Sequence, residues 1–128
     1  MSEVATGRIG SVAERSAQLA IELRVADLGA SITFYKQAGF TLERRTATFA
    51  ALQIEGRYLL LAVDPATTVG AQPPNLRIFV SDVEAAFAHA QAQGWTVVHG
   101  LADLGYGLHD FTVRDPDGYE VRFAALAG

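Results

Sequence analysis

Three histidines are the side chains that proton transfer or metal binding would draw on first. His89 falls on a helical stretch that starts after Asp82, at a spacing that predicts a surface position. His99 precedes Gly100 at the end of a strand. His109 shares the parity of Phe111 and Val113, which predicts a partly buried structural residue, with a ligand contact as the alternative. No two of the three stand at the i, i+4 spacing with which a helix pairs metal ligands. The charged pairs are better placed. Glu22 with Arg24, and Glu120 with Arg122, sit at i, i+2, so each pair shares one face of a strand. Two uses stand open: an ion-pair ladder that keeps the strands solvated, or charge presented to a ligand. An arginine beside a carboxylate favours the ionised form, which weakens metal-free acid–base catalysis as a reading. No Gly-rich phosphate loop, nucleophile elbow or Ser/His/Asp set is visible.

These residues need elements to hold them, and the pattern supplies two similar sets. Leu19, Ile21, Leu23 and Val25 alternate with Ala20, Glu22 and Arg24, which predicts a strand. Asp27 caps a helix whose apolar stripe is Leu28, Ile32 and Tyr35, and Gly39 stops it. Phe40, Leu42 and Thr46–Ile54 read as further strand, then Glu55-Gly56-Arg57 as a turn and Tyr58–Val63 as strand. The pattern then recurs. Leu76, Ile78 and Val80 alternate with Asn75, Arg77 and Phe79; Asp82 caps a helix with Val83, Phe87 and Ala90 inward; Gly94 ends it before Trp95. Asp27/Asp82, Leu28/Val83, Ile32/Phe87, Gly39/Gly94 and Phe40/Trp95 all keep one offset, 82 − 27 = 55, which indicates an internal duplication. Phe111 and Val113 alternate with Asp110, Thr112 and Arg114. The turn Asp115-Pro116-Asp117-Gly118 leads into Tyr119, Val121 and Phe123, which alternate with Glu120 and Arg122.

The expected fold is α+β: two tandem βαβββ modules whose curved mixed sheets enclose a cleft. The expected divisions are an arm at 1–17, a first module at 18–64, a linker at 65–74 and a second module at 75–128, one domain overall. If the odd-numbered apolar residues of the first strand pack under the helix, Ala20, Glu22 and Arg24 face the cleft. Tyr58, Leu60 and Ala62 join them, as do Asn75, Arg77, Phe79, Glu120 and Arg122 from the second module. Phe34, Tyr35, Phe87, Phe111 and Phe123 are expected in the helix–sheet cores, with Phe40 and Trp95 open to the same role.

Composition narrows the function. A chain of 128 residues, 50% hydrophobic and 19% charged, suits one folded domain with a sizeable core. The net charge of −4 argues against a nucleic-acid partner and permits a cationic ligand. Without cysteine there are no disulfides, thiolate metal sites or thiol catalysis. No apolar run approaches the roughly 18 residues of a membrane helix, and no signal-peptide layout opens the chain, so a cytoplasmic protein is expected.

Asp27-Leu28-x-Ala30-Ser31-x-x-Phe34-Tyr35, the repeat, and Asp115-Pro116-Asp117-Gly118-Tyr119 together resemble the vicinal oxygen chelate superfamily of glyoxalases, bleomycin-resistance proteins and extradiol dioxygenases. Metalloenzymes of that group take one ligand from each of four cleft-facing strands, usually His or Gln, Glu, His and Glu. Carried over by motif, those positions fall on Ala20, Leu60, Asn75 and Arg122. Methyl, isobutyl, carboxamide and guanidinium groups build no metal site, and Arg122 puts a positive charge where the cation would sit. The stretch Tyr106-Gly107-Leu108-His109-Asp110-Phe111-Thr112-Val113-Arg114-Asp115-Pro116-Asp117-Gly118 resembles the closing motif of the metal-free, bleomycin-resistance-like members. That resemblance implies a homodimer that traps a small molecule, an antibiotic or aromatic metabolite, without cofactor or metal. Tyr58, Phe79, Trp95 and Tyr106 are the candidate stacking surfaces, and Glu22, Asp110 and Glu120 the candidate partners of a cationic ligand. Arg24, Leu60, Asn75, Arg77 and Arg122 complete the candidate lining. A glyoxalase-like lyase or isomerase, or another enzyme of the group, is the alternative.

Overall fold

A computed structural model describes residues 20–70, 75–103 and 107–126. The arm at 1–17, part of the linker and Tyr106 lie outside the described residues. The chain divides into two compact units, Met1–Thr67 and Thr68–Gly128, and the division falls inside the 65–74 stretch.

The first unit runs β1 (Ala20–Val25), α1 (Leu28–Gln37), β2 (Thr41–Arg45), β3 (Phe49–Ile54) and β4 (Arg57–Val63). Its sheet has the order β1-β4-β3-β2, with β1 parallel to β4 and the other pairs antiparallel. Asp27 is extended, and its carboxylate accepts from the Ala30 amide at 3.1 Å, satisfying one of the donors that a helix start leaves over. Gly39 takes φ +113° directly after the last helical turn, a conformation that costs a residue without Cβ least. Leu28, Ile32, Phe34 and Tyr35 of α1 pack with Leu23, Val25, Ala50, Leu52, Leu59 and Leu61, all buried. Tyr35 meets Phe34 and Phe40 edge to face at 4.9 and 5.7 Å. Ile21 departs from the expected packing: it is 49% exposed, because β1 is an edge strand and Ile21 lies near its start.

The second unit repeats the plan with β5 (Asn75–Phe79), α2 (Val83–Gln93), β6 (Thr96–Asp103), β7 (Leu108–Arg114) and β8 (Glu120–Leu126). The order is β5-β8-β7-β6, again with one parallel pair, β5 with β8. Each unit is therefore a βαβββ module, and the two registers agree. Glu22 partners Leu60 in the first unit and Arg77 partners Arg122 in the second, so the offset of 55 from Glu22 to Arg77 survives in the pairing. Asp82 caps α2 as Asp27 caps α1, accepting from Ala85 at 3.0 Å, and Gly94 ends it at φ +73°. Phe87, Phe111, Phe123 and Trp95 form a run of ring contacts at 5.0 to 5.9 Å on the helix side of the sheet. Trp95 is partly buried and stacks on Phe123 at 5.9 Å, which places it at the edge of the helix–sheet core.

Candidate functional site

Period-2 alternation divides each sheet into a helix face and a free face. In the first unit, Ala20, Glu22 and Arg24 alternate with the buried Leu23 and Val25, so they share the free face, as expected. Their ladder partners Tyr58, Leu60 and Ala62 share it, and Phe49, Ala51 and Gln53 extend it from β3. A cavity of about 450 Å³ opens on this face. Its apolar floor is Ala20, Phe49, Ala51 and Leu60, and its polar edge is Tyr58, Glu43 and Arg44. Tyr58 Oη donates to a Glu43 carboxylate oxygen at 3.2 Å.

Glu43 and Arg44 are adjacent in sequence and in a regular strand would point to opposite faces. The register between β2 and β3 shifts between Leu42 and Arg44, a bulge that re-aims the side chains so that both border the cavity. Sequence reasoning missed Glu43, Arg44, Phe49 and Ala51. The alternation of Phe49 and Ala51 with Ala50 and Leu52 could have found the last two; a bulge leaves no comparable signal. Glu22 and Arg24 lie outside the cavity lining and pair with each other at 3.9 Å, while Arg24 also reaches Asp64 at 3.7 Å.

In the second unit the free face carries Asn75, Arg77 and Phe79 from β5 and their ladder partners Glu120, Arg122 and Ala124 from β8. Arg114, Thr112 and Asp110 follow from β7. Asp110 and Thr112 are buried despite their polarity. Arg122 accounts for both: its Nε lies 3.5 Å from Asp110 Oδ2 and donates to Thr112 Oγ1 at 3.3 Å. Of the two uses left open for Glu120 and Arg122, a pair between them does not form among the described residues, and Arg122 turns to Asp110. Asp110 is thereby committed to a guanidinium within the chain, which removes it as a free partner for a cationic ligand. Phe79 stands 64% exposed at the end of this face. Tyr106, a candidate for the same lining, lies outside the described residues.

Of the histidines, His99 is the ladder partner of Thr112 and so belongs to the second unit's free face, whereas His89 lies on α2 and His109 shares the helix-side parity of Phe111 and Val113. His89 is exposed on α2 and meets the Trp95 ring edge to face at 5.6 Å. His99 Nδ1 lies 2.8 Å from the Gly100 carbonyl, and His109 Nε2 lies 3.5 Å from Asp103. Among the described residues, no three His, Asp or Glu side chains come together as a metal would require. The positions that the resemblance assigns to metal ligands hold Ala20 and Leu60 in one unit and Asn75 and Arg122 in the other, and this donor set does not fit a divalent metal.

The fold recurs in solved structures. A bleomycin resistance determinant encoded on the transposon Tn5 is 21% identical with a TM-score of 0.71, the match covering 85% of this chain and 97% of that one. Lactoylglutathione lyase from Agrobacterium tumefaciens is also 21% identical with a TM-score of 0.71, over 86% of this chain and 93% of that one. TioX from Micromonospora sp. ML1 is 24% identical with a TM-score of 0.68, over 88% and 98%. At these identities the likeness is one of fold. No curated protein matches the sequence significantly. The family model matches residues 15–123, which takes in both modules and both motifs, and the chain belongs to the Glyoxalase/Bleomycin resistance protein/Dioxygenase superfamily.

Proposed function

We propose that the protein binds a small organic molecule, an antibiotic or an aromatic metabolite, without a metal, as a cytoplasmic homodimer. The observation that carries this reading is the donor set. Where metalloenzymes of the superfamily have four ligands, this chain has a methyl, an isobutyl, a carboxamide and a guanidinium group. Two of those substitutions, Ala20 and Leu60, line the apolar floor of the cavity in the first unit. Replacing donors by hydrocarbon makes a surface that holds an organic body better than an ion. A bleomycin resistance determinant among the similar folds is in keeping with this reading.

Two measurements test it. Elemental analysis of purified protein, with calorimetric titration of zinc, nickel and manganese, should find no stoichiometric tight metal. Thermal-shift screening against antibiotics and against neutral, cationic and anionic aromatic metabolites should find compounds that stabilise the fold. Tight metal at one ion per chain sinks the proposal. So does turnover of carbonyl or thioether-conjugate substrates that is lost in Glu22→Gln or Glu120→Gln, which would establish the enzyme reading.

A further inference from the structure

The free face of the second unit carries a charge arrangement that a folded sheet does not need. Arg77 and Arg122 are ladder partners on neighbouring strands, so two guanidinium stems stand side by side on one face. Like charges at such positions repel. One strand away lie Thr112 and Asp110, and Asp110 is the only carboxylate that either arginine reaches among the described residues. Arg77 itself is exposed and has no ion pair among the described residues. Counting Arg114 and Glu120, the face holds three arginines against two carboxylates, in a chain whose net charge is −4.

Arg122 is also oriented. Its Nε is taken up by Asp110 and Thr112, and with Asp110 only 4% exposed this anchor is fixed in the sheet. The anchored end leaves the two terminal amino groups without a partner among the described residues, and the side chain remains 32% exposed. A guanidinium held in this way presents a planar fork of donors, the shape that matches a carboxylate. Phe79 follows Arg77 by two residues on the same face, its ring 64% exposed. A large apolar side chain beside Arg77, which has no ion pair among the described residues, and the outward donors of the anchored Arg122 is a surface for a molecule with one charged end and one flat apolar end.

We propose that this face binds the carboxylate of an aromatic organic anion, with Arg77 and Arg122 on the carboxylate and Phe79 against the ring. The inference rests on the small-molecule-binding reading and specifies its ligand class, reversing the cationic ligand that net charge alone permits.

The test compares 1-naphthoate with its neutral isostere 1-naphthamide by isothermal titration calorimetry on the full chain. Naphthoate should bind more tightly, with an affinity that falls as salt is raised. Arg77→Gln, at an exposed site with no ion pair among the described residues, should weaken naphthoate roughly tenfold and leave naphthamide unchanged. Arg122→Gln alone strands a buried carboxylate, so the informative second variant is Arg122→Gln with Asp110→Asn, which should lose the preference for the anion. Phe79→Ala should weaken both probes equally. The inference is overturned if naphthoate fails to bind, binds no better than the amide, or keeps its affinity in Arg77→Gln. Should naphthoate fail while neutral or cationic compounds stabilise the protein in the thermal-shift panel, this inference falls and the small-molecule reading stands. If no compound binds, both fall.

Discussion

Asp115 holds more of the second unit together than its place in a surface turn suggests. One of its carboxylate oxygens accepts from the amides of Asp117 at 2.9 Å, Gly118 at 3.0 Å and Tyr119 at 2.9 Å, while the residue itself is buried. Its own amide donates to the Tyr119 carbonyl at 2.9 Å, so the side chain ties the same turn that the backbone closes. Asp115→Ala leaves three inward amides without that acceptor and should lower the unfolding free energy by about 2–3 kcal/mol. Asp115→Asn keeps an acceptor oxygen and should cost clearly less. Urea denaturation of the two variants checks the order. Equal losses would mean that the turn depends on the side chain's charge rather than on its geometry. Pro116 and Gly118 made this turn legible in the sequence, since both act on backbone angles through their own chemistry. The triple acceptor did not announce itself, because nothing in a run of four residues says which carboxylate folds inward.

At the scale of elements, two glycines of the second unit that both take a positive φ carry different loads. Gly94 ends α2 at φ +73° with no atom within 4 Å of where a Cβ would stand, so Gly94→Ala meets only backbone strain, about 1 kcal/mol. Gly118 has φ +101° and a Val69 methyl 2.9 Å from that point, so Gly118→Ala adds a clash to the strain and should cost roughly 2–3 kcal/mol. Thermal denaturation of both variants reads the difference, and a smaller loss at Gly118 would show that Val69 yields freely. The caps, helix stripes and closing hairpin were readable because each is encoded within a few residues. The middle of the first unit was not. Thr46–Ile54 reads as one strand, yet β3 begins only at Phe49. Thr46 Oγ1 accepts from the Thr48 amide at 3.2 Å and bends the chain there. The bulge at Glu43 then breaks the alternation that would have assigned Glu43 and Arg44 to a face. Only the second failure hides cavity-lining residues, Glu43 and Arg44, because a bulge re-aims side chains at the very place where a regular pattern stops being informative.

At the scale of the whole molecule, metal and organic ligand differ in what they should do to stability. A ligand that binds only the folded chain stabilises it by about 2.7 kcal/mol at a hundred times its dissociation constant. A chain of 128 residues gains unfolding entropy of about 0.27 kcal/mol/K, so that stabilisation corresponds to a midpoint rise of about 10 °C. An organic ligand of the proposed class should produce a shift of that size when saturating. Zinc, nickel, manganese or magnesium should move the midpoint by less than about 1 °C, because Ala20 and Leu60 offer no donor and Arg122 repels a cation. The two outcomes separate cleanly, since a site built from four donors would respond to the metals at micromolar concentration and be reset by a chelator. A rise near 10 °C with any of the metals, reversed by chelation, would mean that donors outside the superfamily's four positions have taken over the role. In that case the carbon-lined cavity beside Tyr58 would need a different explanation from the capture of an organic molecule.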